Sequence, residues 1–226
     1  MPTVQHFGSW TGEARIRPPG MEPRVVLLSL VSHTDARSGQ TSLSALTRDI
    51  TELKRAEDAM RRAATTDPLT HLPNRAILFD RLAHALARTG RTGGGLALLF
   101  VDLDHFKLVN DHMGHDAGDE LLVQVARRLS DSVRDCDTVA RIGGDEFVVL
   151  AEPVIRAEDA LIVADRIVSA LAEPFTLSSG EARIGASVGV AMSRRDATGR
   201  SLLKQADTAV YQAKAAGRSR VVVFSG

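Results

Sequence analysis

The stretch "RIGGDEFVVL", residues 141–150, places two glycines and two acids directly before an apolar run. The apolar run is typical of a buried strand. Gly143 and Gly144 suit a two-residue hairpin loop, because a type I′ turn needs positive φ at both positions. The pattern therefore predicts a β-hairpin with Asp145 and Glu146 at its turn. Those acids are either solvated turn residues or part of a site, and the rest of the chain has to decide between the two interpretations.

Composition excludes several classes of protein. The chain has 226 residues, 44% hydrophobic and 25% charged, with a formal net charge of zero. These values are ordinary for a soluble globular protein, and no basic field indicates nucleic acid as a partner. The single cysteine, Cys136, excludes an intrachain disulfide and favours a cytoplasmic location. No apolar run approaches the roughly 20 residues that span a bilayer, so we expect no direct membrane insertion.

Residues 1–50 have the pattern of a β segment. Strands are predicted in "GEARIR", "RVVLLSLVSH" and "TSLSALTRDI", separated by a turn at "PPG" and a loop at "DARSGQ". Because three strands with one apolar face are marginally stable alone, we expect this segment to belong to something larger or to need a partner.

A linker helix is predicted over 51–64. Asp49 can cap it and Glu52 can complete a capping box. Apolar residues follow at steps of 3, 4 and 3, namely Leu53, Ala56, Met60 and Ala63. This spacing fits a short coiled-coil seam and, equally well, an ordinary amphipathic surface helix.

From about residue 65 helical and strand patterns alternate. Their order predicts an α+β fold, with one mostly antiparallel central sheet flanked by helices. The predicted elements are a helix over 74–88 that stops near Gly90, a strand at 96–104, a helix carrying Leu122 to Val133, the hairpin 138–151, a helix carrying Leu161 to Leu171, the strand "ARIGASVGVAMS", a helix at 202–215 and the strand "RVVVF".

Acidic residues end the predicted strand at 96–104. Asp102 and Asp104 face the same way, because strand residues alternate sides. If this strand lies beside the hairpin, Asp102 approaches Asp145 and Glu146, and unpaired carboxylates would repel. Mg²⁺ binds carboxylate oxygens together with substrate phosphates, and a pair of such ions can support phosphoryl transfer. A solvated acidic rim is the alternative.

Groups suited to phosphate lie elsewhere in the chain. Lys214 and Arg218 are four apart at the end of the last helix, which Gly217 can terminate, so both are expected on one face of that helix. They fit a triphosphate, although a solvated helix end explains them equally well. A second candidate anion site is the start of a helix after "DLD", formed by the backbone N–H groups of His105, Phe106 and Lys107.

The motifs together resemble one family. "RIGGDEF" (141–147) resembles the signature of the GGDEF domain, the diguanylate cyclase, and the resemblance covers about residues 65–226. Two departures are His71, in place of a usual glycine, and Asp145, where Glu also occurs. The other matching segments are "DPLTHLPNR" (67–75), "VDLDHFKLVNDHMGHDAGDELL" (101–122), "ASVGVA" (186–191) and "ADTAVYQAKAAGRSRV" (206–221).

The resemblance implies a nucleotidyl-cyclase, palm-like sheet in which two GTP molecules condense to cyclic di-GMP and release two pyrophosphates. It implies a homodimer, a Mg²⁺ or Mn²⁺ cofactor, and feedback inhibition by the product. The residues that match the family's roles are Asp102, Glu146 and the Leu103 carbonyl for the metal; Asp145 as base or second metal ligand; Asn110 and Asp119 for guanine; Lys214 and Arg218 for phosphates; Gly143 and Gly144 for close backbone approach; and Arg134, Asp137 and Arg166 for product inhibition.

The N-terminal segment 1–50 resembles the last strands of a PAS sensor domain, with "DIT" as its exit into a signalling helix. It is expected to be a partial PAS-like remnant, and no sensory ligand is assigned. Two alternatives to an active cyclase remain at this point. One is a GTP-binding or cyclic di-GMP-binding module without catalysis, and the other is a generic metal-dependent nucleotidyltransferase or phosphatase.

Overall fold

The computed structural model describes residues 8–92, 94–194 and 196–225. Contacts divide the chain into two units, Met1–Arg62 and Ala63–Gly226. Each unit has its own secondary structure.

The first unit contains three antiparallel strands in the order β1-β2-β3, as the sequence predicted. They are β1 (Ser9–Ile16), β2 (Arg24–Thr34) and β3 (Thr41–Asp49), and helix α1 (Thr51–Thr65) follows. The Asp49 carboxylate accepts the Thr51 N–H at 2.9 Å, as expected for a cap. The predicted capping box is wrong: the Glu52 carboxylate pairs with Arg55, because the helix begins at Thr51 and Glu52 is its second residue. The side chain of Ala63 lies outside the described residues.

The second unit is built on a five-stranded sheet in the order β10-β9-β4-β6-β5. Strand β4 (Gly95–Asp104) is central and antiparallel to both β6 and β9, while β10 is parallel to β9. The mostly antiparallel α+β architecture predicted from the sequence is therefore confirmed. The other strands are β5 (Thr138–Gly143), β6 (Glu146–Val154), β9 (Gly185–Met192) and β10 (Val221–Val223).

Helices cover both faces of this sheet, so alternate residues of β4 belong to two different hydrophobic cores. One core holds Leu99, Val101 and Leu103 of β4 and the other holds Leu96, Leu98 and Phe100. Because strand residues alternate sides, Asp102 and Asp104 lie on the same face of β4 as Leu96, Leu98 and Phe100. The first core includes α4 (His115–Asp131) and α5 (Ala157–Ala172), the second includes α2 (Arg75–Thr92) and α6 (Gly199–Ala215), and α3 (Phe106–Met113) lies between β4 and α4 in the chain.

Three boundaries differ from the sequence prediction. Helix α2 continues through Gly90 to Thr92, since a mid-helix glycine costs only about 1 kcal/mol. The segment predicted as one strand, "ARIGASVGVAMS", contains the end of a short hairpin before β9, formed by β7 (Phe175–Leu177) and β8 (Gly180–Ala182). The helix predicted to carry Leu122 to Val133 ends at Asp131, so Val133 lies beyond it, and Gly114, with φ of 89°, separates this helix from α3.

Candidate active site

The acidic residues meet where β4 ends and β6 begins. Asp102 is paired directly with Glu146 in the antiparallel register, so their side chains leave the same face. The hairpin loop consists of Gly144 and Asp145, one residue later than predicted, because a bulge between Arg141 and Gly143 shifts the register. Asp145 therefore lies in the loop itself, and its carbonyl accepts the N–H of Leu103 at 3.3 Å. The predicted hairpin is therefore confirmed, but the prediction that its loop consists of Gly143 and Gly144 was wrong.

The electrostatics of this cluster favour a bound cation. Burial raises the pKa of Asp102, and nearby Asp145 and Asp104 raise it further, against the opposing effect of Lys214. Burial likewise raises the pKa of Glu146, with Asp102, Asp145 and Asp207 adding to the rise. Asp207 was missed at the sequence level. Its signal is its place on α6, seven residues before Lys214 and therefore on the same helical face.

Lys214 is the cation that meets this cluster. Its Nζ lies 2.7 Å from Oδ1 of Asp102, which is only 8% exposed. Lys214 was predicted to contact phosphate, whereas in this structure it forms an ion pair with Asp102, one of the predicted metal ligands. One ammonium cannot balance the carboxylates of Asp102, Asp145 and Glu146.

The donor set also fits a divalent ion, since the Asp102 and Glu146 carboxylates and the Leu103 carbonyl would offer it oxygen atoms alone. Within the described part of the chain, no three acidic, histidine or cysteine side chains are already arranged around a metal position. In this structure the Asp102 carboxylate, which would bind the ion, pairs with the Lys214 ammonium.

The end of α6 has a defined turn. The N–H of Arg218 bonds to the Ala213 carbonyl at 3.0 Å, and that of Gly217 bonds to the Lys214 carbonyl at 3.3 Å. This is a Schellman motif, and Gly217 ends the helix as predicted. The expectation that Lys214 and Arg218 share one helical face is wrong, because the helix stops at Ala215 and Arg218 lies beyond it with φ of 63°.

The start of α3 follows directly from the end of β4. His105 is the N-cap residue, with a left-handed φ of 64° and no side-chain capping bond, and helix α3 begins at Phe106. The exposed side chain of Lys107 lies in the first turn. The helix predicted to begin after "DLD" is therefore present, and it begins directly after the end of β4.

The two predicted guanine readers lie on neighbouring helices, α3 and α4. A Cβ atom on Gly118 would come within 1.9 Å of the Asn110 Oδ1 atom, so the Asn110 side chain lies directly over this glycine. Asp119 is the next residue and is exposed. Asn110 and Asp119 thus lie on the two helices that Gly114 separates, and they offer an amide and a carboxylate, groups that can hydrogen-bond to a base edge.

Sequence reasoning missed the side chain that supports the hairpin loop. Arg141 donates from Nε and Nη2 to the Gly144 carbonyl at 3.0 and 2.8 Å. Its Nη1 lies 2.9 Å from Oδ1 of Asp67, and both side chains are nearly buried. Asp67 also accepts the Thr70 N–H and hydroxyl. His71 follows with φ of 59°, which explains why a glycine suits that position. A signal was present, because an arginine precedes the two glycines by two residues.

The predicted inhibitory segment lies between α4 and β5. Asp137 accepts the Arg134 N–H at 3.0 Å and the Glu152 N–H at 3.1 Å, so its carboxylate stabilises the local turn. The exposed Arg134 side chain faces solvent. Arg166 donates to the Ser132 carbonyl at 3.2 Å, which places the third predicted residue beside this segment.

The fold and the site together define an α+β protein with a mostly antiparallel central sheet, flanked by helices, and an acidic cluster where the central strand ends. The family model described as "Diguanylate cyclase, GGDEF domain" matches residues 64–220. The chain therefore belongs to the GGDEF family.

Similar proteins agree with this assignment. The chain is 42% identical over 202 residues to the bifunctional diguanylate cyclase/cyclic di-GMP phosphodiesterase MucR of Pseudomonas aeruginosa, covering 88% of this chain and 29% of that protein. The solved GGDEF domain of TpbB from the same organism matches with a TM-score of 0.69 and 41% identity, covering 71% of this chain and 94% of that one. The coiled coil and GGDEF domain of DgcB from Caulobacter crescentus, solved with c-di-GMP, matches with a TM-score of 0.70 and 31% identity, covering 77% and 93%.

Proposed function

We propose that this protein is a diguanylate cyclase that condenses two GTP molecules into cyclic di-GMP and releases two pyrophosphates. The observation that carries the proposal is the cluster of Asp102, Asp145 and Glu146 with Lys214 at the end of the central strand. The chain spans less than a third of the length of MucR, so the activities of that whole protein are not carried over, and the proposal rests on the residues of this site.

Each part of the site has a role in this reaction. Asn110 and Asp119 bind the guanine edge, and an aspartate can accept two hydrogen bonds from guanine that adenine does not offer. The N–H groups from His105 to Lys107 and the side chains of Lys214 and Arg218 bind the triphosphate. Asp145, in the loop, accepts the proton of the attacking 3′-hydroxyl.

A divalent ion, Mg²⁺ or Mn²⁺, would be held by Asp102, Glu146 and the Leu103 carbonyl, and it would neutralise charge that develops on the phosphates. Arg141 keeps the loop that carries Asp145 in place through the Gly144 carbonyl. Lys214, which pairs with Asp102 in this structure, would contact the triphosphate if a divalent ion took over the Asp102 carboxylate.

Catalysis needs two copies of the chain. One site holds one GTP, and each 3′-hydroxyl has to attack the α-phosphate of the other nucleotide. A two-fold homodimer with facing sites supplies both attacks together. The exposed apolar residues of α1, Leu53 and Met60, support a helix-mediated dimer.

The remaining parts of the proposal concern regulation and location. Residues 1–50 are proposed to be a PAS-like segment, supported by three antiparallel strands that lead into α1. Arg134, Asp137 and Arg166 are proposed to bind cyclic di-GMP as a feedback inhibitor. No helix in the described ranges combines the length and apolar character needed to cross a membrane, and a cytoplasmic location is proposed from the reduced state expected of Cys136.

The test is incubation of the full chain with GTP and Mg²⁺, followed by mass analysis of the products. Cyclic di-GMP and pyrophosphate are expected from the wild type and are expected to be lost in Asp102→Ala and Glu146→Ala. Asp80→Ala, on the exposed face of α2, is the matched control and should keep full activity. GTP binding without product would instead identify a binding module, and release of inorganic phosphate or GDP would identify a generic hydrolase. Near wild-type turnover by Asp102→Ala would refute the metal assignment.

A further inference from the structure

Asp104 is a buried carboxylate that the proposed reaction does not use. It ends β4 two residues after Asp102 and is only 2% exposed. Its Oδ1 accepts the Ser187 hydroxyl at 2.8 Å, and its Oδ2 accepts the Ser219 N–H at 2.9 Å and the Ser219 hydroxyl at 3.3 Å. Both carboxylate oxygens are thus engaged by β9 and by the turn after α6. Asp102, on the same face, is engaged by Lys214.

The turn that Asp104 binds has an unusual backbone. Gly217, Arg218 and Ser219 have positive φ values of 114°, 63° and 46° in succession. A left-handed conformation is easy for glycine and unfavourable for the other two, so it persists only where surrounding contacts over-determine it. The Asp104 carboxylate supplies such contacts, since charge-assisted hydrogen bonds are roughly twice as strong as neutral ones.

A neighbouring glycine leaves the space for this contact. A Cβ atom on Gly185 would come within 2.0 Å of the Ser219 Oγ atom and 3.1 Å of the Asp104 Oδ2 atom. Strand β9 therefore approaches the turn closely enough to allow Asp104 and Ser219 to meet. The contact joins the strand end that carries Asp102 to the loop that carries Arg218.

We propose that Asp104 is a positioning residue that acts through Ser219 to hold Arg218 at the triphosphate. The inference rests on the proposed function, because it takes Arg218 as a phosphate contact. Lys214 lies within α6, so the position of its backbone does not depend on this turn. Arg218 lies beyond the helix, so the direction of its side chain depends on the backbone conformation that Ser219 helps to fix. Loss of the carboxylate should therefore weaken phosphate binding through Arg218 and leave the metal ligands in place.

The central variant is Asp104→Asn in the full chain, which keeps the shape and removes the charge. At saturating Mg²⁺ we expect the KM for GTP and the Kd for α,β-methylene-GTP, an unreactive analogue measured by calorimetry, to rise about tenfold. The kcat and the Mg²⁺ concentration for half-maximal activity should change less than about threefold. Arg218→Ala should have a similar effect on affinity, and adding Asp104→Asn to it should change affinity less than about twofold.

Two further variants separate positioning from general stability. Adding Ser219→Gly to Asp104→Asn should restore the affinity for the analogue, because glycine adopts the left-handed conformation without stabilising contacts. Thr198→Ala removes the cap at the far end of the same helix, where the Thr198 hydroxyl accepts the Ser201 N–H at 3.1 Å. It should lower the melting temperature without changing the affinity for the analogue. An equal loss of affinity in Thr198→Ala would overturn the proposal.

Other outcomes are equally decisive. If the losses of affinity caused by Asp104→Asn and Arg218→Ala multiply in the double variant, Asp104 does not act through Arg218. The same conclusion follows if Asp104→Asn shifts the Mg²⁺ concentration for half-maximal activity and leaves the KM for GTP unchanged. Equal affinity of the wild type and Asp104→Asn for the analogue would lead to that conclusion as well. Amide exchange at Ser219, followed by NMR, tests the geometry independently of activity, with protection expected in the wild type and lost in Asp104→Asn. A wild type that binds the analogue without forming cyclic di-GMP would refute the proposed function, while the affinity of Asp104→Asn would still test the positioning role.

Discussion

At the scale of single residues, Arg141 connects three parts of the site. Its guanidinium bonds to the carbonyl of Gly144 and to the carboxylate of Asp67, and its own N–H bonds to the Pro73 carbonyl at 3.0 Å. Only 11% of its side chain is exposed, and 17% of that of Asp67. Removal of one partner from such a pair leaves the other charge poorly solvated.

Arg141→Ala should therefore lower the free energy of unfolding by about 3 kcal/mol, measured by urea denaturation. It should also lower kcat, because the loop that carries Asp145 loses its support. Arg75→Ala, an exposed arginine that lies 5.8 Å from the Phe79 ring centre, is the matched control and should cost less than about 1 kcal/mol. Equal losses in the two variants would contradict the role given to Arg141.

Asp67 should make stability depend on pH. Burial raises the pKa of Asp67, but hydrogen bonds from Thr70 and Arg141 outweigh it and leave the pKa lowered. The folded protein thus binds this proton less readily than the unfolded chain, whose aspartates titrate near about pH 3.9. The stabilising effect is complete above that pH and is lost as the pH falls through the lower, folded pKa.

The stability difference between the wild type and Asp67→Asn should accordingly be constant from pH 7 to about pH 4 and shrink at lower pH. Urea unfolding at a series of pH values measures it. A difference that does not change with pH would mean that the carboxylate charge contributes nothing.

At the scale of elements, α6 and β9 are packed backbone to backbone. A Cβ atom on Gly189 would come within 2.0 Å of the Ala206 carbonyl oxygen and 2.5 Å of the Val210 nitrogen. Both atoms belong to the helix backbone, which cannot move aside as a flexible side chain could. The small residue in β9 therefore fixes how closely the helix that carries Lys214 lies against the sheet.

Gly189→Ala should destabilise the protein by about 3 kcal/mol or more and move Lys214 away from Asp102. Gly90→Ala is the matched control, because nothing lies within 4 Å of its added Cβ atom. It should raise the free energy of unfolding by about 0.5–1 kcal/mol, since alanine is the better helix former. Thermal melts of both variants check the opposite signs, and a tolerated Gly189→Ala would contradict the close packing.

At the scale of the whole molecule, the reaction proposed here needs a dimer. Leu53 and Met60 of α1 are 57% and 76% exposed in the single chain. Leu53→Asp with Met60→Asp should raise the monomer fraction in sedimentation and lower specific activity at dilute enzyme. Ala59→Asp adds one negative charge to the same helix outside the predicted seam; it is the control for each single variant, Leu53→Asp and Met60→Asp, and should have a smaller effect than either. Unchanged mass and activity at all concentrations would exclude this helix as the dimer contact.

The proposed feedback inhibition would be a second property of the whole molecule. Arg134→Ala should leave the initial rate nearly unchanged and remove the slowing that cyclic di-GMP causes as it accumulates, because a bidentate phosphate contact is lost. Arg127→Ala, an exposed arginine of α4, is the control. Progress curves with and without added cyclic di-GMP measure the effect. Equal inhibition of the wild type and Arg134→Ala would contradict the proposed inhibitory site, and Asp137 would then have only its structural role in the local turn.

The sequence by itself determined the architecture and the acids that meet at its centre. A continuous apolar strand that ends in Asp102 and Asp104, and a hairpin with acids at its turn, are local patterns, because strand periodicity and turn chemistry act over a few residues. Gly217 as the end of the last helix could be predicted for the same reason.

Only the tertiary structure decided which partner each side chain meets. The pairing of Asp102 with Lys214, of Arg141 with Asp67, and of Asp104 with Ser219 joins residues 112, 74 and 115 positions apart. The one-residue shift of the hairpin loop and the position of Arg218 beyond α6 depend on a bulge and on a left-handed turn. Such features are stabilised by contacts from other strands and helices, so the spacing of residues along the chain cannot reveal them.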